Sequence, residues 1–389
     1  MEKREKRIPL QGRIDSNNAA DAEKAILAQL GGDGASPVLD ASGLEYISSA
    51  GLRVILRLKK QYPDLRITEV SSQVYEILEM TGFTEMMSVE KAYRVVSVEG
   101  CEVIGEGFNG KVYRIDRDNV VKVYKNADAL ADIQHEREVA RLALILGVPT
   151  AISYDVVRVG ESYGSVFELL DARSFARILA EEPEKMDWCI RESVALLKKI
   201  HSITVPEGKL PSIRAGALAG IGRMRGLLPE ELGEKLADMA AAIPESCGMI
   251  HGDYHTKNIV LSGDEVLTID MDTLSVGHPI FELAQMYSSY VGFSEYDPQV
   301  VLRFQGYDDA TARAFWRGCL RAYLETEDET LVSRVEDKVR IVAYADLIDW
   351  TTRHSVPPTE VDRATRELWI GELTELLLRT DSLDLAVSD

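Results

Sequence analysis

Apolar and polar positions along this chain fall into two successive patterns. In the first, Ile8–Ile14 reads as a strand. Asp15, Ser16, Asn17 and Asn18 follow, side chains suited to helix capping, and Ala19–Leu30 reads as a helix. Gly31–Ser36 reads as a loop and Pro37–Asp40 as a short strand. Ala50–Gln61 carries Leu52, Val54, Ile55 and Leu58 at helical spacing. Leu65–Val70 reads as a strand, and Val74–Met80 as a helix that stops at Gly82. This alternation of strand and helix predicts an α/β layer fold.

The second pattern begins near Cys101. Val103–Ile115 and Val120–Tyr124 alternate like paired strands around a turn at Asp116–Asn119. A long helix over Ala127–Leu146 stops at Gly147-Val148-Pro149. Ile152–Val159 and Gly164–Leu170 read as strands. From Arg173 onward the chain reads as helical, apart from a strand-rich patch at 248–271. Strands first and helices afterwards predict an α+β domain of two lobes around a cleft. The expected division is a domain at 1–97 and a second at 98–389, with an N-lobe to about 170 and a C-lobe beyond. The join, Val96–Cys101, has no proline and one glycine, so it is not a long flexible linker. The first domain is therefore expected to rest against the N-lobe.

Length and composition agree with this division. A chain of 389 residues exceeds what one core usually holds. Its 46% hydrophobic and 28% charged content is that of a globular protein. The four cysteines, at 101, 189, 247 and 319, form no C-x-x-C pair, so reduced, buried thiols are expected. No signal-peptide pattern or membrane-length apolar run occurs, and a cytoplasmic location is expected. The net charge of −20 is unevenly placed. Residues 1–98 hold 13 basic and 14 acidic residues; the remainder holds 31 and 50. An acidic second domain argues against nucleic acid as a partner and suits a cationic ligand.

The candidate chemistry lies in that second domain. Gly105-Glu-Gly107-Phe-Asn-Gly110 matches G-x-G-x-x-G. Read as a Walker A loop it fails, because Val112 stands where a magnesium-binding Ser or Thr is needed. It also runs into strand-like Lys111–Ile115, not into a helix. A glycine-rich loop between two strands is the arrangement that covers ATP phosphates in kinases. Lys122 lies inside Val-Val-Lys-Val-Tyr, where an unpaired ammonium would be costly. Of Glu136 and Glu138 in the following helix, Glu138 is the expected partner, because it opens the apolar run Val-Ala-Arg-Leu-Ala-Leu. In His251-Gly-Asp253-Tyr-His255-Thr-Lys-Asn258, the D-x-x-x-x-N spacing fits a catalytic base, Asp253, and a magnesium ligand, Asn258. Ser262-Gly263-Asp264 makes 259–270 a hairpin, bringing Asp270 to Asn258 as a second hard oxygen ligand for Mg²⁺. His251 and His255 read as structural hydrogen-bonders, and His201 and His278 as packing residues.

His-Gly-Asp-x-His-x-x-Asn followed by Ile-Asp-x-Asp resembles the aminoglycoside phosphotransferase and choline-kinase-like superfamily, over about residues 100–380. It departs from protein kinases, which have His-Arg-Asp and Asp-Phe-Gly. The resemblance implies a protein-kinase-like fold with ATP in the cleft and a hinge near Phe167–Leu170, with Glu168 and Leu170 at the nucleotide.

Val38-Leu-Asp-Ala-Ser-Gly-Leu-Glu-Tyr-Ile-Ser48-Ser49-Ala50-Gly51-Leu-Arg-Val-Ile-Leu resembles the STAS domain of anti-sigma-factor antagonists, over about residues 4–97. In that family a serine at this helix start is phosphorylated, switching partner binding. Here Ser49, and next Ser48, are the candidates; either can equally serve as a helix cap. Three readings follow. The chain phosphorylates a small cationic molecule, with the STAS domain as a regulatory or docking module. Alternatively it phosphorylates a STAS-domain serine, or binds nucleotide as a non-catalytic scaffold.

Overall fold

Val38, Leu39 and Ala41 are buried, a near-continuous apolar run of the kind that parallel strands covered on both faces require. The computed structural model describes residues 5–30, 36–106, 110–126, 129–354 and 360–385. Its first sheet is four-stranded and parallel, in chain order: Glu5–Ile14, Ser36–Ile47, Arg66–Val70 and Val89–Lys91. Helices Ala19–Leu30, Ser49–Gln61 and Ser72–Met80 make the crossovers. Ile26 and Leu30, Leu52, Ile55 and Leu58, and Val74 and Leu78 from these helices share one core with Ile8, Leu39 and Ile67. The strand expected at Pro37–Asp40 continues to Ile47, because Gly12↔Leu44 and Ile14↔Ile47 keep it paired past two register shifts. Partner strands extend it through Ser42–Tyr46, where local propensity gives no signal.

Contacts divide the described residues into two units. One runs to Gly100 and takes in Val156–Gly164; the other comprises Cys101–Asp155 and Ser165 onward. In the second unit, Glu102–Glu106, Gly110–Arg114 and Asn119–Tyr124 form an antiparallel ladder. Gly110 is needed for that ladder, since a Cβ there would lie 2.3 Å from the Val123 carbonyl oxygen. The helix Leu130–Ile145 follows. Most of the remaining chain is helical and encloses one large core centred on Met186–His201, Ile280–Tyr290, Asp309–Leu324 and Glu329–His354. Within it sit two small antiparallel ladders. Ala172–Ser174, Ile259–Ser262 and Glu265–Thr268 form one, and Met249–Ile250 with Ser275–Val276 the other.

The cysteines differ from expectation. All four are free; Cys189 and Cys319 are buried, whereas Cys101 is half-buried and Cys247 exposed. Cys247 lies in the connection before Met249–Ile250, whereas Cys189 and Cys319 lie on buried helix faces. No helix among the described residues is long and apolar enough to cross a membrane.

Gly51 packs closely against two strands of the first unit. A Cβ there would meet Ile47 Cγ1 at 2.6 Å and the Ile14 carbonyl oxygen at 2.9 Å. Gly51→Ala is expected to lower stability by about 1–3 kcal/mol, the usual cost of overpacking a close contact. Urea unfolding of the full chain checks this; an unchanged midpoint would contradict the packing described.

Candidate active site

Strand alternation sends the Val121 side chain into the core and leaves Lys122 on the opposite face, paired in register with Val112. The Lys122 ammonium donates to Glu136 Oε1 at 3.0 Å and to Asp270 Oδ1 at 2.9 Å. Burial alone would lower its pKa, but Asp270 and Glu136 outweigh that and hold it above the ordinary ammonium value. The Tyr124 hydroxyl donates to the other oxygen of Glu136, which fixes the carboxylate's orientation.

The partner expected at Glu138 is thus Glu136. Ile133, Glu136, Ala140 and Ala143 recur at helical spacing on the buried face of Leu130–Ile145, while Glu138 is exposed. An apolar run that begins at Val139 does not reveal which earlier turn continues that face; Ile133 does.

The hairpin brings two more residues into place. Ile259↔Thr268 ends its ladder, and Ile269 N–H donates to the Asn258 carbonyl at 2.9 Å. Asn258 therefore lies beside Asp270. Asn258 Nδ2 reaches back to Asp253 Oδ2 at 2.9 Å and to the Asp253 carbonyl at 3.0 Å. His255 Nε2 lies 3.2 Å from Asp253 Oδ1. Burial would raise the Asp253 pKa, but the hydrogen bonds from His255 and Asn258 bring it below the usual carboxylate value. Asp270 has φ 64°, an uncommon backbone state for a residue other than glycine, at the point where its carboxylate turns to Lys122. Asp272, close by, is pushed up to about 6 by burial and then by the neighbouring Asp270 carboxylate.

A buried network holds the loop. His251 Nδ1 accepts from Asp253 N–H at 3.2 Å, so the ring proton is assigned to Nε2, which donates to Thr268 Oγ1 at 2.7 Å. Thr268 in turn donates to the Asn258 carbonyl at 3.1 Å. Burial lowers the His251 pKa, favouring this neutral form. Glu282, fully buried, accepts from the backbone N–H groups of His251 and Gly252 at 2.5 and 3.0 Å. Gly252 has φ 86°, and a Cβ there would lie 2.5 Å from the Thr273 carbonyl oxygen, so only glycine fits. Sequence reasoning missed Glu282, although an acid inside the apolar run Pro279–Ala284 is the same signal that singled out Lys122. It also passed over Tyr124.

The other expected residues are placed as follows. Gly105 lies in the first strand of the ladder, with room for a Cβ at 3.6 Å from Val112; Gly107 lies outside the described residues. Glu168 is exposed at the end of Ser162–Glu168, and Leu170 half-buried just beyond, after the Leu169 N–H donates to the Asp118 carbonyl at 2.7 Å. His201 Nδ1 pairs with the Tyr323 hydroxyl at 2.9 Å, and His278 Nδ1 accepts from Ile280 N–H at 3.3 Å. In the first unit, Ser48 Oγ caps the helix by accepting from Ala50 and Gly51 N–H, and Ser49 is exposed in its first turn.

The sequence profile of the phosphotransferase enzyme family matches residues 100–319, the span that carries every residue of this site. The chain belongs to that family. The profile of the STAS domain matches residues 3–97. Over 84 residues the chain is 39% identical to BtrV of Bordetella bronchiseptica, named as an anti-sigma factor antagonist, covering 21% of this chain and 72% of that protein. Among solved structures, the GDP and kanamycin complex of APH(2")-IIia is 18% identical, with a TM-score of 0.45 over 78% of this chain and 97% of that one. A choline/ethanolamine kinase family protein from Mesorhizobium loti is 15% identical, with a TM-score of 0.46 over 72% of this chain and 88% of that one.

Two substitutions in this phosphotransferase separate the roles of the adjacent glutamates. Glu136→Ala removes the carboxylate that accepts from the Lys122 ammonium and from the Tyr124 hydroxyl, so it is expected to cost about 1.5–3 kcal/mol. Glu138→Ala, at an exposed position, is expected to stay within about 0.5 kcal/mol of the parent. Thermal and urea unfolding of both variants check this; equal effects would contradict the pairing.

Proposed function

We propose that the chain transfers the γ-phosphoryl group of ATP to a hydroxyl of a small cationic molecule, within a catalytic domain at 98–389, and that the STAS domain at 1–97 is a regulatory or protein-docking module. The family matches at 3–97 and 100–319 support this boundary. The observation that carries the reading is the juxtaposition of Lys122, Glu136 and Asp270 with the Asp253–Asn258 pair.

The donor set fits a nucleotide with Mg²⁺. Asp270 offers a carboxylate, and among the described residues no hydrogen bond reaches Asn258 Oδ1. Both are hard oxygen donors of the kind Mg²⁺ takes beside phosphate oxygens. When bound, ATP supplies the phosphoryl group and Mg²⁺ neutralises charge on its oxygens. Lys122, fixed by Glu136, would meet the α- and β-phosphates. Gly105, Gly107 and Gly110 would lie over the phosphates, and the Glu168–Leu170 backbone beside the base. Asp253 would orient the acceptor hydroxyl and take its proton; its depressed pKa keeps it ionised for that task. Most of the rate then comes from positioning and charge placement. The acidic balance of residues beyond 98 supports a cationic acceptor.

A protein acceptor is the second reading, favoured by the exposure of Ser49 at the N-terminus of Ser49–Gln61. Incubation with γ-labelled ATP, with and without a panel of aminoglycosides, choline and other small hydroxylated amines, decides between them. Label on a small molecule is expected; label on the chain that Ser49→Ala abolishes would favour the second reading. Asp253→Asn is expected to reduce transfer by about 100-fold or more, the usual contribution of a positioned base, while ATP affinity by calorimetry stays within about twofold. Near-normal transfer by this variant would contradict the role given to Asp253.

A further inference from the structure

The Asp253 loop ends in a turn, His255–Asn258, closed by Asn258 N–H on the His255 carbonyl at 2.8 Å. The two ends of the turn hold the Asp253 carboxylate. His255 Nε2 lies 3.2 Å from Oδ1, and Asn258 Nδ2 donates to Oδ2 at 2.9 Å. A shift of the turn therefore moves Asp253 or frees it to rotate. The helix Gln299–Gln305 and the residues just after it grip this turn at three consecutive positions. The Phe304 ring meets the His255 ring edge-on, with centroids 5.1 Å apart. The same ring carries the Lys257 ammonium 4.6 Å from its centroid. Thr256, between them, is fully buried; its Oγ1 donates to Gln305 Oε1 at 2.8 Å and lies 2.8 Å from the Tyr307 hydroxyl.

A threonine hydroxyl has one proton to give. With that proton on Gln305, the Tyr307 hydroxyl must donate to Thr256 Oγ1, so the bonds run in order from Tyr307 through Thr256 to Gln305. Gln305 and Tyr307 are themselves buried, and Gly306 between them takes φ 87°, the sharp reversal that sets both side chains on one hydroxyl. The Thr256 carbonyl accepts from Ala176 N–H at 2.9 Å, so backbone and side chain are both tied. Such bonds contribute modestly to net stability, but their direction fixes where the turn lies. For a group that must meet a reacting hydroxyl, a displacement of about 1 Å can lower the rate by about 100-fold.

We propose that Gln305 and Tyr307 are positioning residues for phosphoryl transfer, holding Thr256 so that the turn presents Asp253 to the acceptor hydroxyl. The inference rests on the transfer reaction proposed above. It extends that machinery to side chains 49 and 51 residues further along the chain than Thr256.

The test uses the full chain. Thr256→Val removes the hydroxyl and keeps the shape, Tyr307→Phe removes one donor, and Thr256→Ser keeps the hydroxyl. ADP release from MgATP is followed with water, and with the amines of the panel above, as acceptor. Amide hydrogen exchange is followed in parallel at residues 251–259. Thr256→Val is expected to lower kcat at least tenfold and Tyr307→Phe at least threefold, each with the KM for MgATP within twofold of the parent. Exchange at 251–259 is expected to quicken at least tenfold in Thr256→Val, while exchange in Glu329–His354 stays as in the parent. Thr256→Ser is expected to behave as the parent in both readouts. The proposal is overturned if Thr256→Val and Tyr307→Phe keep the parent's kcat, if exchange at 251–259 quickens without loss of kcat, or if kcat falls only alongside faster exchange throughout the chain. A parent that binds no MgATP, or binds it and releases no ADP with any acceptor, would overturn the transfer reading itself and this inference with it.

Discussion

An ammonium held between two carboxylates sets the terms for the phosphotransferase unit. Taking Lys122 and Glu136 out of water costs several kcal/mol per charge, and the loss is recovered only if they meet each other and the more exposed Asp270 at hydrogen-bond distance. Lys122, Glu136 and Asp270 come from a strand, a helix and a hairpin end, and Asp270 lies 148 residues from Lys122 in sequence. Each element must therefore be fixed to within a fraction of an ångström. Gly110 lets the Lys122 strand pair closely, Ile133 and Ala140 seat the Glu136 helix, and the Ile259↔Thr268 ladder ends at the residue before Asp270's neighbour, Ile269.

The same demand explains the Asp253 loop. Its backbone is neither helix nor ladder, yet His251, Tyr254 and His255 are buried, so its polar groups need partners from elsewhere. Glu282 takes two N–H groups, His251 Nδ1 takes a third, and Thr273 Oγ1 donates to the His251 carbonyl at 2.8 Å. The loop is thereby rigid before any ligand arrives, which is what positional catalysis needs. The histidines act as scaffold; the hydrogen bond from His255 also helps hold Asp253 in its ionised form.

Features that depend on local chemistry were legible in the sequence. Helix Ala19–Leu30 begins where the polar run Asp15–Asn18 ends, Gly263 turns the hairpin with φ 58°, and the D-x-x-x-x-N spacing does put Asn258 on Asp253. What escaped depends on partners distant in the chain. Glu138 was preferred to Glu136 because helix phase was judged from one side of the residue. The strand from Pro37 runs on to Ile47 because Glu5–Ile14 pairs with it, not because of its own composition. Glu282 stands out as an acid in an apolar run, but its partners are backbone N–H groups, which leave no mark in a side-chain pattern, so its role appears only in the fold.

The central claim is that the Lys122 cluster exists to hold a magnesium nucleotide. Titration of the full chain with ATP by calorimetry, with and without Mg²⁺, and again with Lys122→Met, tests it most directly. The account predicts one site per chain, tighter with Mg²⁺ than without, and weakened at least tenfold by the substitution. Absence of binding, or binding indifferent to both magnesium and Lys122, would contradict it.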